Sequence, residues 1–265
     1  MFIRCCAFCI LTCFASLPSM AQAQLAYGVD IDNLYTVNLS TATSSLIGQT
    51  GAPLMEGLAL SSSGQLFGTD GNGYLYSLSK TTGTATLIGI TGRGNIEGLG
   101  FVGSQLLGID FNNIPTIFSI NTATALTTNV VTLNNPIGRV RAMTILDSTH
   151  VLVLGDNPVY QDLSNVDLTS GNVTVIGQVP GKNSYAIGFG ADGILYSLDR
   201  EGNEYRINQA NASGTLIGNT GGQLWLDIAS LPNGASAVPE PGSIALLAGF
   251  GISSLFALKL RKRRK

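Results

Sequence analysis

The sequence predicts an all-β protein: a five-bladed β-propeller with four strands per blade, followed by a C-terminal transmembrane helix. Three observations carry the propeller: a phrase recurring at steady spacing, three further phrases that keep step with it, and chain ends that complement one another. The phrases SSLIGQTG, ATLIGITG, VTVIGQVPG and GTLIGNTG centre on Ile47, Ile88, Ile176 and Ile217, separated by 41, 88 and 41 residues. The double gap hides a degenerate copy, TTNVVTLNNP, near Val131. Self-similarity at such a period marks a repeat architecture.

In chain order, each unit supplies four short runs. One begins LAYGVD, QLFGTD, QLLGID, VLVLGD or ILYSLD and ends at Asp30, Asp70, Asp110, Asp156 or Asp199. The next reads LYTVNL, YLYSLS, TIFSIN, LSNVDL or EYRINQ, and the isoleucine phrase follows it. These runs alternate with period two and are separated by Gly, Asn, Asp, Ser and Thr clusters, which is strand and hairpin chemistry. The fourth run is EGLAL, EGLGF, RAMTI, YAIGF or LDIAS. It carries small residues at alternate places, Gly57 and Ala59, Gly98 and Gly100, Ala142 and Thr144, Ala186 and Gly188. Blades crowd toward their common axis, so this run is expected innermost, where side chains have least room.

That assignment leaves three outer strands at the start, Leu25 to Gly48, and a lone inner strand at the end, Leu224 to Ser230. Paired, they make one blade and close the ring, which removes open sheet edges. The propeller domain is expected over 24–231. An open β-solenoid is the rival, but solenoids use shorter periods and capped ends.

The chain ends read as addresses. Arg4, an apolar run from Cys5 to Leu17 and the small-x-small site Ala21-Gln22-Ala23 form a secretory signal peptide over 1–23, cleaved after Ala23. The competing reading, a buried helix, is opposed by Pro18 and by that site. All four cysteines, Cys5, Cys6, Cys9 and Cys13, fall within the segment removed, so packing alone must hold the mature domain. A small-residue and proline linker, 232–238, follows the propeller. The apolar run from Ile244 to Leu258 is then closed by Lys259, Arg261, Lys262, Arg263, Arg264 and Lys265. A span at about 242–260 is expected, with its basic tail, 259–265, held on the cytoplasmic side.

Pro239-Glu240-Pro241, a short span and a terminal basic cluster resemble the PEP-CTERM sorting signal of Gram-negative bacteria, over 239–265. The resemblance implies recognition by an exosortase in the inner membrane and processing near the Pro-Glu-Pro motif. It also implies delivery to the cell surface or the extracellular polysaccharide matrix. A permanent single-pass anchor is the alternative.

The domain itself offers little recognisable chemistry. His150 is the sole histidine, and with no cysteine after Cys13 the sequence shows no Cys/His zinc cluster and no Ser-His-Asp triad. No metal site and no cofactor are expected. The repeated aspartates suit turns, since a carboxylate ending a strand can accept backbone N–H bonds. Glu56, Glu97, Arg141 and Tyr185 hold equivalent places at the start of four inner strands, with Leu226 in the fifth. They are expected to gather at one mouth of the central channel, a candidate ligand site. Residues 24–237 carry 7 basic and 15 acidic side chains, a net charge of −8, which argues against nucleic acid as a partner. The sequence therefore suggests an exported, non-catalytic structural or binding module, with extracellular polysaccharide as a possible partner. Its competitor is a polysaccharide hydrolase or lyase using Glu56 and Glu97.

Overall fold

The structure is a computed structural model that describes residues 24–111, 115–135, 137–156, 161–181 and 183–230. Twenty strands and no helix occur among them. Blade 1 opens with β1 (Leu25–Val29), β2 (Asn33–Asn38) and β3 (Thr43–Gln49). Blade 2 is β4 (Met55–Leu60), β5 (Leu66–Asp70), β6 (Tyr74–Leu78) and β7 (Ala85–Ile90). Blade 3 is β8 (Ile96–Val102), β9 (Gln105–Asp110), β10 (Thr116–Ile120) and β11 (Thr127–Thr132). Blade 4 comprises β12 (Arg139–Ile145), β13 (His150–Asp156), β14 (Gln161–Asp167) and β15 (Val173–Gln178). Blade 5 comprises β16 (Ser184–Phe189), β17 (Leu195–Asp199), β18 (Asn203–Ile207) and β19 (Gly214–Asn219), and the last strand, β20 (Asp227–Ser230), returns to blade 1.

Each blade is a four-stranded antiparallel sheet, and blade 1 has the order β20-β1-β2-β3. Its closing pair runs Ala26 against Ser230 through Val29 against Asp227. The inner strands β4, β8, β12, β16 and β20 each abut the next, and β20 abuts β4. The ring is closed and five-bladed. The closing strand is shorter than the expected Leu224 to Ser230, starting at Asp227, and is preceded by a turn at Gly221 and Gly222, at φ 109° and 79°. Only the Leu226 N–H, donating to Val29 O at 3.0 Å, extends the pairing backward.

The core is divided among the seams. Five apolar clusters each join two neighbouring blades; one sets Val29 and Leu34 of blade 1 against Met55 and Leu58 of blade 2. Another joins blade 5 to blade 1 through Tyr196, Leu198, Trp225 and Ile228. Trp225 is fully buried and its indole Nε1 donates to Thr220 Oγ1 at 2.7 Å, which satisfies the one polar group that burial would strand. The small inner-strand residues have a steric reason. A Cβ added at Gly98 would lie 2.5 Å from the backbone N of Met143 on the next blade.

The recurring isoleucine also has a geometric meaning. Ile47, Ile88, Val130, Ile176 and Ile217 each lie where the register of the outermost pair shifts by one residue. They are β-bulges, which increase strand twist and interrupt an exposed edge. In blade 3 the bulged residue is Val130, one place before the Val131 marked from the sequence.

The signal peptide of 1–23, Leu231, the linker 232–238 and the sorting segment 239–265 with its expected span lie outside the described residues. Among the described residues no helix is long and apolar enough to cross a membrane.

Candidate functional site: the charged mouth

The inner strands all run in the same sense along the axis, so their first residues share one end of the channel. Glu56, Glu97, Arg141 and Tyr185 each fall at a register shift between the inner strand and its neighbour, beside Met55/Gly57, Ile96/Gly98, Val140/Ala142 and Ser184/Ala186. Each is the extra residue of a bulge, a device that re-aims a side chain and ends the regular ladder. In blade 1 the same place is held by Leu226, which is buried.

The bulged side chains are tied into one another. The Arg141 guanidinium, mostly buried, bonds Asp156 Oδ2 and lies 4.5 Å from the Tyr185 ring centroid. Arg200, on the hairpin of blade 5, sits 4.4 Å from that ring and donates from Nη1 to the Tyr185 hydroxyl at 3.4 Å. Gln161 Nε2 donates to Asp156 Oδ1 at 2.7 Å and to Ser184 O at 2.9 Å, joining blade 4 to blade 5. On the other side, Arg139 Nη2 stands 4.0 Å from Glu97 Oε1, with its guanidinium 3.9 Å from the Phe111 ring centroid. Cations over aromatic faces of this kind are electrostatically attracted to the ring.

The two glutamates differ from ordinary carboxyls. Burial pushes Glu97 up to about 7, the Glu56 charge adding to the effect while Arg141 and Arg139 oppose it. Glu56 is also raised, first by burial, and its Oε2 is buried with no hydrogen-bond partner among the described residues. Both carboxyls are thus held above the ordinary range, chiefly by burial.

Behind them lies a residue that sequence reasoning missed. Asp227 is fully buried at the start of β20, in the register place that Gly57, Gly98, Ala142 and Ala186 hold in the other blades. Its Oδ2 accepts the Leu58 N–H at 2.8 Å and its Oδ1 the Ile228 N–H at 2.8 Å. Burial raises its carboxyl well above the usual range, against the pull of the backbone N–H groups of Leu58, Ile228 and Leu99. The carboxyl so stitches the closing strand to β4 of blade 2. Arg139 and Arg200 were missed as well, because they lie two residues before one inner strand's bulge and beyond another's first hairpin.

Of the repeated aspartates, Asp156 belongs to the mouth's network, and Asp30, Asp70 and Asp199 serve their turns. Asp70 Oδ1 accepts the N–H groups of Asn72 and Tyr74, and Asp199 Oδ1 those of Glu201 and Asn203. Asp30 does the same for Asp32 and Asn33 and accepts the Tyr35 hydroxyl at 2.7 Å. Asp110 accepts the Thr116 N–H at 2.9 Å through Oδ1 and pairs through Oδ2 with Arg93 at 3.0 Å, and Asp156 pairs with Arg141. His150 begins β13 and its Nδ1 lies 2.9 Å from Thr149 Oγ1 and 3.2 Å from Asp147 Oδ1. Among the described residues no group of three His, Cys, Asp or Glu side chains is placed to hold a metal ion.

No protein-family model matches this chain, and no curated protein matches it. Solved structures do. A crystal structure of a nidogen/laminin complex contains a chain similar to this one at 16% identity and TM-score 0.53, covering 81% of this chain and 83% of that one. The WD40 β-propeller domain of Doa1 aligns at 11% identity and TM-score 0.44, over 78% of this chain and 86% of that one. At 16% identity the first likeness speaks to the fold alone.

Proposed function

We propose that this protein is an exported binding module, delivered to the cell surface or extracellular matrix by its C-terminal sorting signal, and that it takes its ligand at the charged mouth. The observation that carries the binding site is the convergence of four bulged side chains on one end of a closed, rigid ring. Function grafted on a scaffold gathers at such loop and rim positions. Arg141, held by Asp156 and Tyr185, needs no reordering to receive a ligand, which limits the entropy that binding must offset. The Pro239-Glu240-Pro241 motif, the apolar run and the basic cluster support the export reading. A hydrated polysaccharide suits the domain's Ser, Thr and Asn surface and its net negative charge.

One observation favours a second reading, a glycan hydrolase or lyase. Glu97, pushed to about 7 beside the ionisable Glu56, resembles an acid held next to a base. A glycan panel offered to residues 24–237 separates the two readings. Binding without turnover, weakened in Glu97→Gln and Arg139→Ala, supports the module. Bond cleavage that Glu97→Gln abolishes replaces it with the enzyme. For the address, Ala-Ala-Ala in place of Pro239-Glu240-Pro241 should leave export intact and block processing, read by mass spectrometry of surface protein. Surface protein still carrying Arg261 to Lys265 in the unaltered chain would instead establish a permanent anchor.

A further inference from the structure

The domain carries a net charge of −8, but its cations are not spread evenly. Of the seven basic side chains in 24–237, Arg139, Arg141 and Arg200 stand at the charged mouth. Two of the three are answered there, Arg141 by Asp156 and Arg139 by Glu97. Arg200 meets no carboxylate among the described residues, and its guanidinium makes one hydrogen bond among them, from Nη1 to the Tyr185 hydroxyl at 3.4 Å. Its Nε is buried without a partner among them.

The backbone fixes where this guanidinium stands. Arg200 follows Asp199 in its hairpin, as Gly71 follows Asp70 and Phe111 follows Asp110. Each of these three N–H groups donates to the loop that leads into its own blade's inner strand, Gly71 to Leu54 O, Phe111 to Asn95 O and Arg200 to Asn183 O. Arg200 is therefore tied to a residue two places before Tyr185, whose buried ring supports the guanidinium at 4.4 Å. An arginine held on an aromatic face keeps its planar fork of donors oriented, so an oxyanion can be received with little further ordering.

Resting on the reading of the charged mouth as the binding site, we propose that its ligand is an acidic glycan, whose oxyanion, a uronate carboxylate or a sulfate ester, seats on Arg200 beside the Tyr185 hydroxyl. A guanidinium meets either group with charge-assisted hydrogen bonds, which are stronger than neutral ones. Across the mouth, Glu56 and Glu97 offer carboxyl oxygens to hydroxyl donors and oppose a second anion. An acidic sugar brings hydroxyls and a single charge on one ring, and so meets both sides. The net negative charge of the domain repels a continuous polyanion, so a glycan whose acidic units are separated by neutral sugars fits best.

The ring and its five apolar seams lie within 24–230, so residues 24–237 keep the fold and serve for calorimetric titration. Uronate oligosaccharides are offered beside their methyl esters, and sulfated ones beside their desulfated forms, so each pair differs in charge alone. At least one acidic member should bind tenfold or more tighter than its neutral partner, and the pair that discriminates tells carboxylate from sulfate. Arg200→Gln should weaken the acidic member by about tenfold to hundredfold, the worth of a hydrogen bond to a charged group, and leave the neutral one unchanged. Lys80→Gln, a cation exposed on the β6–β7 hairpin, should change neither. Matching melting temperatures of the variants exclude unfolding as the cause. An equal loss in Lys80→Gln would reduce the preference to diffuse charge and overturn the proposal. Glycan binding that needs Arg139 and Glu97 but ignores esterification, desulfation and Arg200→Gln refutes the acidic class and leaves the mouth as the site. Binding that none of these variants changes, or no binding by any glycan, refutes the mouth and this inference with it. Arg200-dependent binding of a peptide of alternating Asp and Ser, with no glycan pair discriminating, replaces the sugar by an acidic peptide.

Discussion

Glu204 is a carboxyl where the other blades bury a hydrocarbon. It pairs with Leu198 on one side and Gly218 on the other, and the matching residues of blades 1 to 4 are Leu34, Leu75, Ile117 and Leu163. It is 0% exposed, and neither oxygen has a hydrogen-bond partner among the described residues. Burial pushes its carboxyl from the ordinary 4.5 to about 8. A carboxyl raised in the folded state favours folding at acid pH, and that contribution is lost as pH rises from the unfolded value through the folded one. Between about pH 4.5 and 8, keeping Glu204 protonated costs roughly 1.4 kcal/mol per pH unit. At pH 7 that is about 3 kcal/mol, and at pH 5 under about 1 kcal/mol.

Glu204→Leu restores the residue of the other blades and removes this cost. At ~2 to 4 °C per kcal/mol for a domain of this size, the variant should melt roughly 6 to 12 °C higher at pH 7. The gap should shrink to a few degrees at pH 5, about 2 to 3 °C by the same conversion. Thermal melts of both proteins at pH 5, 7 and 9 test it, with Glu204→Gln as a polar control that cannot ionise. A gap independent of pH would show that Glu204 is ionised and partnered in the folded state, and the reasoning would fail. A less stable leucine variant would do the same.

Other perturbations follow from the same packing. Asp227→Ala strands the N–H groups of Leu58 and Ile228 in a buried place and should cost about 2 to 4 kcal/mol in urea unfolding, with Asp227→Asn recovering part of it. Gly98→Ala drives a Cβ against the Met143 backbone, which cannot swing aside, and should lower stability by about 1 to 3 kcal/mol in the same assay. Ending the chain at Gln223 removes Trp225 and the closing strand, and with them several apolar side chains worth ~1.5 to 3 kcal/mol each. Against a total of about 5 to 15 kcal/mol, residues 24–223 should aggregate or unfold while 24–237 melts cooperatively. A monomeric truncated form melting with the longer one would contradict the part the closing strand plays.

The ring was legible because a repeat reports its own alignment. Five copies of each phrase located the four strands of every blade, and the small residues of Gly57 to Gly188 located the inner one, since only small side chains fit beside the next blade's backbone. Register was less legible. Bulges add a residue without changing composition, so none was read from the sequence, and the closing strand was set three residues too long. The charged mouth was half legible: the bulged residues share a repeat position, whereas Arg139 opens its strand just outside the repeated phrase and Arg200 lies in a hairpin loop.

What the repeat hid most thoroughly were its own exceptions, two of which bury a carboxyl in the interior. Asp227 stands where four blades have Gly or Ala, and Glu204 where four have Leu or Ile. Ser230 stands where four have Leu, Phe or Ile. Two of the three lie on β20, the strand that enters last and closes the ring. A blade assembled from both ends of the chain has to hold a strand joined to the rest by a single hairpin-free pairing, and ordinary apolar packing resists its fraying only through side chains. Asp227 adds a buried bond to the Leu58 N–H of the neighbouring blade, which a fraying strand must break as well. The alignment of the fourth phrase that puts Leu226 in the fifth place also sets Asp227 of LDIAS against Gly57, Gly98, Ala142 and Ala186, so the buried acid stands in the sequence as a misfit whose weight only its burial reveals.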